Sequence, residues 1–157
     1  MANWVGYSVS AAITAERVLR WIDDARKRYL FRAAAAVRTT AIKSIETDTG
    51  PSVPGLPPHT HVSRTARWRK RGKGRSKGRG KAKPGRVLPR AILFAVDEFE
   101  GEAVVGPAAS IAGTVGKAHE FGGEYKGHQF PQRRFMGPAL ERIEPIMSDI
   151  WAQSIRY

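Results

Sequence analysis

Four histidines and a run of carboxylates are the residues of this 157-residue chain whose types could do chemistry. His59 and His61 form an H-x-H pair. A metal ion held by their imidazoles would need further ligands, which His119 with Glu120 or His128 could supply. Zinc proteases set two histidines four residues apart with a glutamate between them, on a helix. Here His119-Glu120 runs into Phe121-Gly122-Gly123, which prevents that helix, and no third ligand stands at a diagnostic spacing. We expect hydrogen-bonding histidines, no metal and no cofactor. Asp97, Glu98, Glu100 and Glu102 crowd one polar stretch, whereas an acid–base pair needs separated environments that push the two pKa values apart. Gly72, Gly74, Gly78 and Gly80 match neither the dinucleotide fingerprint nor the phosphate loop. With no cysteine and no G-x-S-x-G elbow, nucleophilic catalysis has no candidate. The expectation is a protein that is not an enzyme.

Charge carries the stronger signal. The net charge is +13, and between residues 49 and 96 there are 13 Lys/Arg and no Asp/Glu. The rest of the chain carries 14 of each sign, so a neutral domain holds one basic insert. Residues 64–86 contain 12 Lys/Arg, five glycines and almost no apolar side chains. Such a segment cannot offset the entropy of folding alone and reads as a mobile arm within a single domain, 1–157. Its cations suit phosphate, with steep salt dependence and little sequence preference. Trp68 is its one stacking residue, so base-specific recognition has little support. The expected contacts are Arg64, Arg67, Arg69, Lys70, Arg71, Lys73, Arg75, Lys77, Arg79, Lys81 and Lys83. DNA and an acidic face of a partner protein are both open as their target.

The elements that would position these groups follow from periodicity. A helix is expected from Thr14, a plausible N-cap, with Val18, Ile22, Ala25, Tyr29, Ala33, Ala36 and Thr40 on one face. It fades at Asp48-Thr49-Gly50-Pro51. About 30 residues would span about 45 Å, so either part of it packs on another subunit, which we favour, or it breaks near Arg32. Residues 50–62 hold four prolines and two glycines and read as a turn or extended loop. Residues 90–96 and 102–106 read as an antiparallel hairpin, and Ile111 to Phe121 as one more strand. Gly137 to Ser154 is a second helix with Leu140, Ile143, Met147, Ile150, Trp151 and Ile155 on its apolar face, kinked or restarted at Pro145. The class is α+β: a long N-terminal helix, a small antiparallel sheet and a C-terminal helix, with the basic arm between first helix and sheet. No run is long enough to span a membrane, the first ten residues lack a secretory pattern, and the absence of cysteine fits folding in the cytosol.

Six segments, in order, resemble the neck and tail-completion proteins of long-tailed double-stranded DNA phages. They are Pro54-Gly55-Leu56-Pro57-Pro58-His59-Thr60-His61, Ile92 to Val96, Val105-Gly106-Pro107, His119-Glu120-Phe121-Gly122-Gly123, Phe130-Pro131-Gln132-Arg133-Arg134-Phe135-Met136, and Pro138-Ala139-Leu140-Glu141. Two departures stand out: Arg134 replaces the family's usual proline, and the arm is longer and more basic than the usual loop. The resemblance implies a non-catalytic virion protein assembled in the host cytoplasm. It would form a homo-oligomeric ring, a hexamer by preference, between the head connector or portal-side protein and the tail terminator or tail tube. The packaged DNA in the channel is a further implied contact. His119, Glu120, Phe121, Phe130, Arg133, Arg134, Phe135 and Met136 are then expected at subunit or partner interfaces. The rival from another class is a free nucleic-acid-binding protein of ribosomal or nucleoid type. It would use the arm and leave the HEFGG and FPQRRFM segments idle.

Overall fold

Thirty residues without glycine or proline, with alanines at positions 33–36, form one unbroken helix, α1 (Ala15–Ser44). The computed structural model describes residues 14–48, 50–61 and 87–155. The basic arm of residues 64–86, with all eleven of its named contacts, lies outside the described residues. Thr14 is the N-cap as expected, although its side chain makes no capping hydrogen bond. The helix does not break near Arg32, and it stops at Ser44, a little before the expected signal. The expected apolar face needs correction. Ala25 and Ala33 are buried, but Val18 and Ile22 are exposed, and burial shifts to Ala34, Val37 and Ala41. The shift follows the packing: among the described residues burial on α1 begins at Ala25, and residues 14–24 are exposed.

After α1, Thr47–Asp48 (β1) pairs in parallel with Thr60–His61 (β2), which closes the proline-rich loop back onto the helix end. The hydroxyls of Thr47 and Thr60 lie 3.0 Å apart across this bridge. A short helix, α2 (Val87–Ala91), leads into the sheet, so Arg90 and Ala91 precede the strand rather than belonging to it. β3 (Ile92–Asp97) and β4 (Glu102–Pro107) then form the expected antiparallel hairpin, in register from Ile92↔Pro107 to Asp97↔Glu102. Its tip is fixed by Asp97, whose Oδ1 accepts from the Phe99 and Glu100 N–H groups at 2.9 and 3.0 Å.

The strand expected at Ile111 to Phe121 is two short helices instead, α3 (Ala109–Ala112) and α4 (Val115–Phe121). Gly116 accounts for the second. A methyl group there would collide with the Pro107 ring, so the bare backbone lets α4 pack directly on the end of β4. His119 and Glu120, which fall within that expected strand, occupy the last turns of α4, and Gly122, at φ 75°, ends it. A second hairpin follows, β5 (Gly123–Tyr125) with β6 (His128–Phe130). Lys126 and Gly127, both at positive φ, make the two-residue turn whose twist matches the strands. Among the described residues the sheet content is thus two separate antiparallel hairpins and one parallel bridge. The C-terminal helix is interrupted at Pro145 as expected, into α5 (Met136–Ile143), a 3-10 turn at Glu144–Ile146 and α6 (Met147–Ile155), but of its expected apolar face Ile143 is buried while Leu140 and Trp151 are exposed.

Packing gathers these elements along one side of α1. The core joins Val37, Ala41 and Ile45 to Ile92 of β3 and to Phe135, Ala139 and Ile143 of α5. Arginines of α1 complete it from the rim. Arg28 Nε and Arg32 Nη1 donate to the Ser154 and Gln153 carbonyls, both at 3.0 Å, satisfying orphan acceptors at the end of α6. Arg38 Nε donates to the Ile92 carbonyl at 2.7 Å and Arg26 to those of Glu98 and Phe99, so the β3–β4 hairpin lies lengthwise against the helix. No helix among the described residues is long and apolar enough to cross a membrane. Phe135 is the largest side chain with no exposure at all. Phe135→Ala is expected to lower stability by about 3–5 kcal/mol, read as a shift of the urea unfolding midpoint.

Candidate functional site

The HEFGG and FPQRRFM segments meet, and Glu120 is where they meet. It sits one residue before the end of α4, with 8% of its surface exposed. Its Oε2 accepts the Phe135 and Met136 N–H groups, each at 2.9 Å, and its Oε1 accepts the Gly137 N–H at 2.9 Å. Those are the donors that the first turn of α5 leaves without helical partners, at the positive end of that helix. Arg134 Nε lies 3.9 Å from Oε1, with the guanidinium also 3.4 Å from Glu141. A carboxylate engaged in this way is a structural acceptor rather than a base.

The neighbours extend the joint. Gln132 Nε2 donates to the Glu120 carbonyl at 3.1 Å, and the Arg133 N–H donates to the His119 carbonyl. The Gly55 N–H donates to the Gln132 carbonyl at 3.1 Å and Arg133 Nη2 to the Ser52 carbonyl at 3.0 Å, which ties in the proline-rich loop. In that loop His59 Nε2 lies 2.7 Å from the Gly50 carbonyl and its Nδ1 lies 3.2 Å from the Ser52 hydroxyl. This is the hydrogen-bonding role expected for that histidine. His119 and Phe130 stack edge to face at 5.3 Å, and Tyr125 meets Phe130 at 6.1 Å. Glycine is favoured at 122 by its positive φ of 75°, a backbone conformation that other side chains rarely adopt.

Seven of the eight expected interface residues are therefore brought together, but as an internal joint. Glu120 and Phe135 are buried and cannot face a partner, which corrects their assignment. Burial follows from their tasks, one capping α5 and the other filling the core. His119, Phe130, Arg133 and Met136 are half-buried, while Arg134 and Phe121 are exposed, Phe121 apart from the rest. Among the described residues no group of three or more His, Asp or Glu is placed to hold a metal ion. Asp97, Glu98, Glu100 and Glu102 are all exposed around the hairpin tip, where Glu98 pairs with Lys27 at 2.8 Å.

Sequence reasoning missed the uncovered apolar surfaces. On the β3–β4 hairpin, Ile92 and Phe94 turn toward α1, with Phe94 against Phe31 at 5.1 Å. The opposite side of the ribbon presents Leu93, Ala95 and Val104, and Val104 is 70% exposed. A strand with one wet face alternates apolar and polar, whereas β3 is apolar throughout from Ile92 to Val96, the pattern of a strand covered on both faces. Beside it a groove of about 600 Å³ runs between α1, β4 and α5, with Tyr29, Ala33, Ala34, Val104, Val105 and Leu140 among its lining.

Two outcomes are expected at the joint. Glu120→Gln keeps the shape but replaces an accepting oxygen with an NH₂ group, leaving buried N–H groups unpaired. It should cost about 1–3 kcal/mol in urea unfolding. His119 has its imidazole held below the ordinary value of 6.5, first by burial and then by the Arg133 cation. Because the unfolded chain takes up the proton first, stability is fully present above about pH 7. It falls as pH drops through the unfolded value and levels off below the folded one. His119→Gln should flatten that part of the profile of urea midpoint against pH.

No family model, curated protein or solved structure matches this chain.

Proposed function

We propose that this chain is a structural subunit of a phage neck. It would form a ring of like copies that completes the tail and joins it to the head connector, without catalysis. The observation that carries the assembling part is the pair of uncovered apolar surfaces: the first turns of α1, and the hairpin with its adjoining groove. Single exposed apolar residues are ordinary, but contiguous ones at this scale mark interaction surfaces. The six-segment resemblance supplies the neck identity. Its HEFGG and FPQRRFM segments have a physical task in this chain, as a joint holding α4, α5 and the proline-rich loop in one arrangement.

The long axis supports two separate roles for the ends. β2 and α2, which flank residues 62–86, both lie by the C-terminal half of α1, where Leu88 packs on the core around Ala41 and Ile45. The uncovered apolar turns are at the other end of the same helix. In this reading association occurs near the α1 N-terminus. Arg67, Arg69, Lys70, Arg71, Lys73 and Arg75 of the arm address the channel DNA or an acidic partner face. Arg134 and Phe121 remain available to a partner.

Electron microscopy of a lysate lacking only this gene product is the test. Full heads and finished tails lying unattached are expected, and normal virions would overturn the neck reading. Deletion of residues 66–84 should impair joining or DNA retention while sparing ring formation. A gel shift over a salt series separates the rival: tight binding of free DNA or RNA by single copies at physiological salt would favour the nucleic-acid-binding protein.

A further inference from the structure

Every residue from Thr14 to Asp24 is exposed, Val18, Leu19 and Ile22 among them. A helical stretch this short is marginal in water by itself, and here it runs without a break into the packed part of α1. Val18, Ile22, Ala25 and Tyr29 follow one another at helical spacing and form a ridge on one side of the helix. The ridge leads straight to the groove, whose lining includes Tyr29, with Ala33 and Ala34 as small side chains of α1 and Val104 and Leu140 opposite. Ridge and groove belong to one helix with no glycine or proline between them, so the ridge cannot fold back into its own groove.

We propose that the α1 ridge of one copy, through Val18, Leu19 and Ile22, seats in the groove of a second copy against Val104 and Leu140. Charge complementarity selects a second copy as the occupant. Arg17 and Arg20 are exposed on the projecting turns, and Glu102 is exposed in the groove lining. Asp23 and Asp24 close the ridge, and Arg134 lies against Gly137 of the groove lining. A convex and a concave patch on the same chain associate head to tail, so each copy uses its ridge on one neighbour and its groove on the other. That arrangement closes into a ring when the rotation permits. The proposal deepens the neck reading and takes from it only that copies assemble.

Sedimentation velocity of the purified full chain provides the test. The wild type is expected to run as species larger than a dimer. Ile22→Asp and Val104→Asp should each give monomers with unchanged circular dichroism, since both side chains are exposed. Mixed in equal amounts they should give dimers and nothing larger, because the first keeps its groove and the second keeps its ridge. Leu140→Asp replaces Val104→Asp if the latter loses its fold. A monomeric wild type, assembly that survives Ile22→Asp, or variants that stay monomeric when mixed would each overturn the proposal. Assembly sensitive to Ile22→Asp but indifferent to both groove variants would overturn it in favour of ridge-to-ridge pairing about a two-fold axis. If the mixing result holds while virions lacking the gene product are normal, the neck reading fails and the ridge-in-groove contact stands.

Discussion

One carboxylate holds the C-terminal half of this molecule in place. Glu120 gives α5 a start that its own sequence does not provide, for Phe135 stands at the N-cap with no side-chain cap. By gathering three backbone N–H groups, it fixes the angle at which α5 leaves the preceding turn. That angle decides whether Phe135, Ala139 and Ile143 reach α1. The segment just before them, Gln132 and Arg133, binds α4 on one side and the proline-rich loop on the other. Local geometry around a single residue thus sets the packing of both termini of the domain.

Two sets of basic residues serve differently. Four arginines of α1 are hydrogen-bond donors to main-chain carbonyls: Arg26 at the hairpin tip, Arg28 and Arg32 at the end of α6, Arg38 at the start of β3. A guanidinium carries its donors in a rigid fork on a long stem, so it can satisfy carbonyls at element ends that a small core leaves near the surface. The cations of the internal insert have no acidic neighbours in sequence and account for the whole charge excess. Their number is what a polyanionic target would require.

The helices at either end and the β3–β4 hairpin were legible because their signals are local. An uninterrupted alanine-rich run, a polar glycine-containing connector, and Pro145 inside an apolar pattern each act within a few residues. The span from Ile111 to Phe121 was misread because β-branched Ile111, Thr114 and Val115 suggest a strand, while the helix there depends on Gly116 against Pro107 and on the distant bonds of Glu120. The hairpin at Gly123–Phe130 had a usable signal in Lys126-Gly127, flanked by tyrosine and phenylalanine. Glu120 as a cap had none. A capping box pairs residues three apart, whereas this carboxylate reaches 15 to 17 residues along the chain. The same distance hid the burial of Glu120.

The apolar interior is built chiefly from alanine, with Ala25, Ala33, Ala34, Ala41, Ala91, Ala112, Ala118 and Ala139 buried beside few large side chains. Alanine removes little hydrocarbon from water, and it is exposed hydrocarbon that raises the heat capacity on unfolding. The isolated chain therefore has a small heat-capacity increment for its length, and its free energy of unfolding follows a shallow arc with temperature. Whatever the height of its maximum, such an arc declines only gently on either side, toward cold as well as heat.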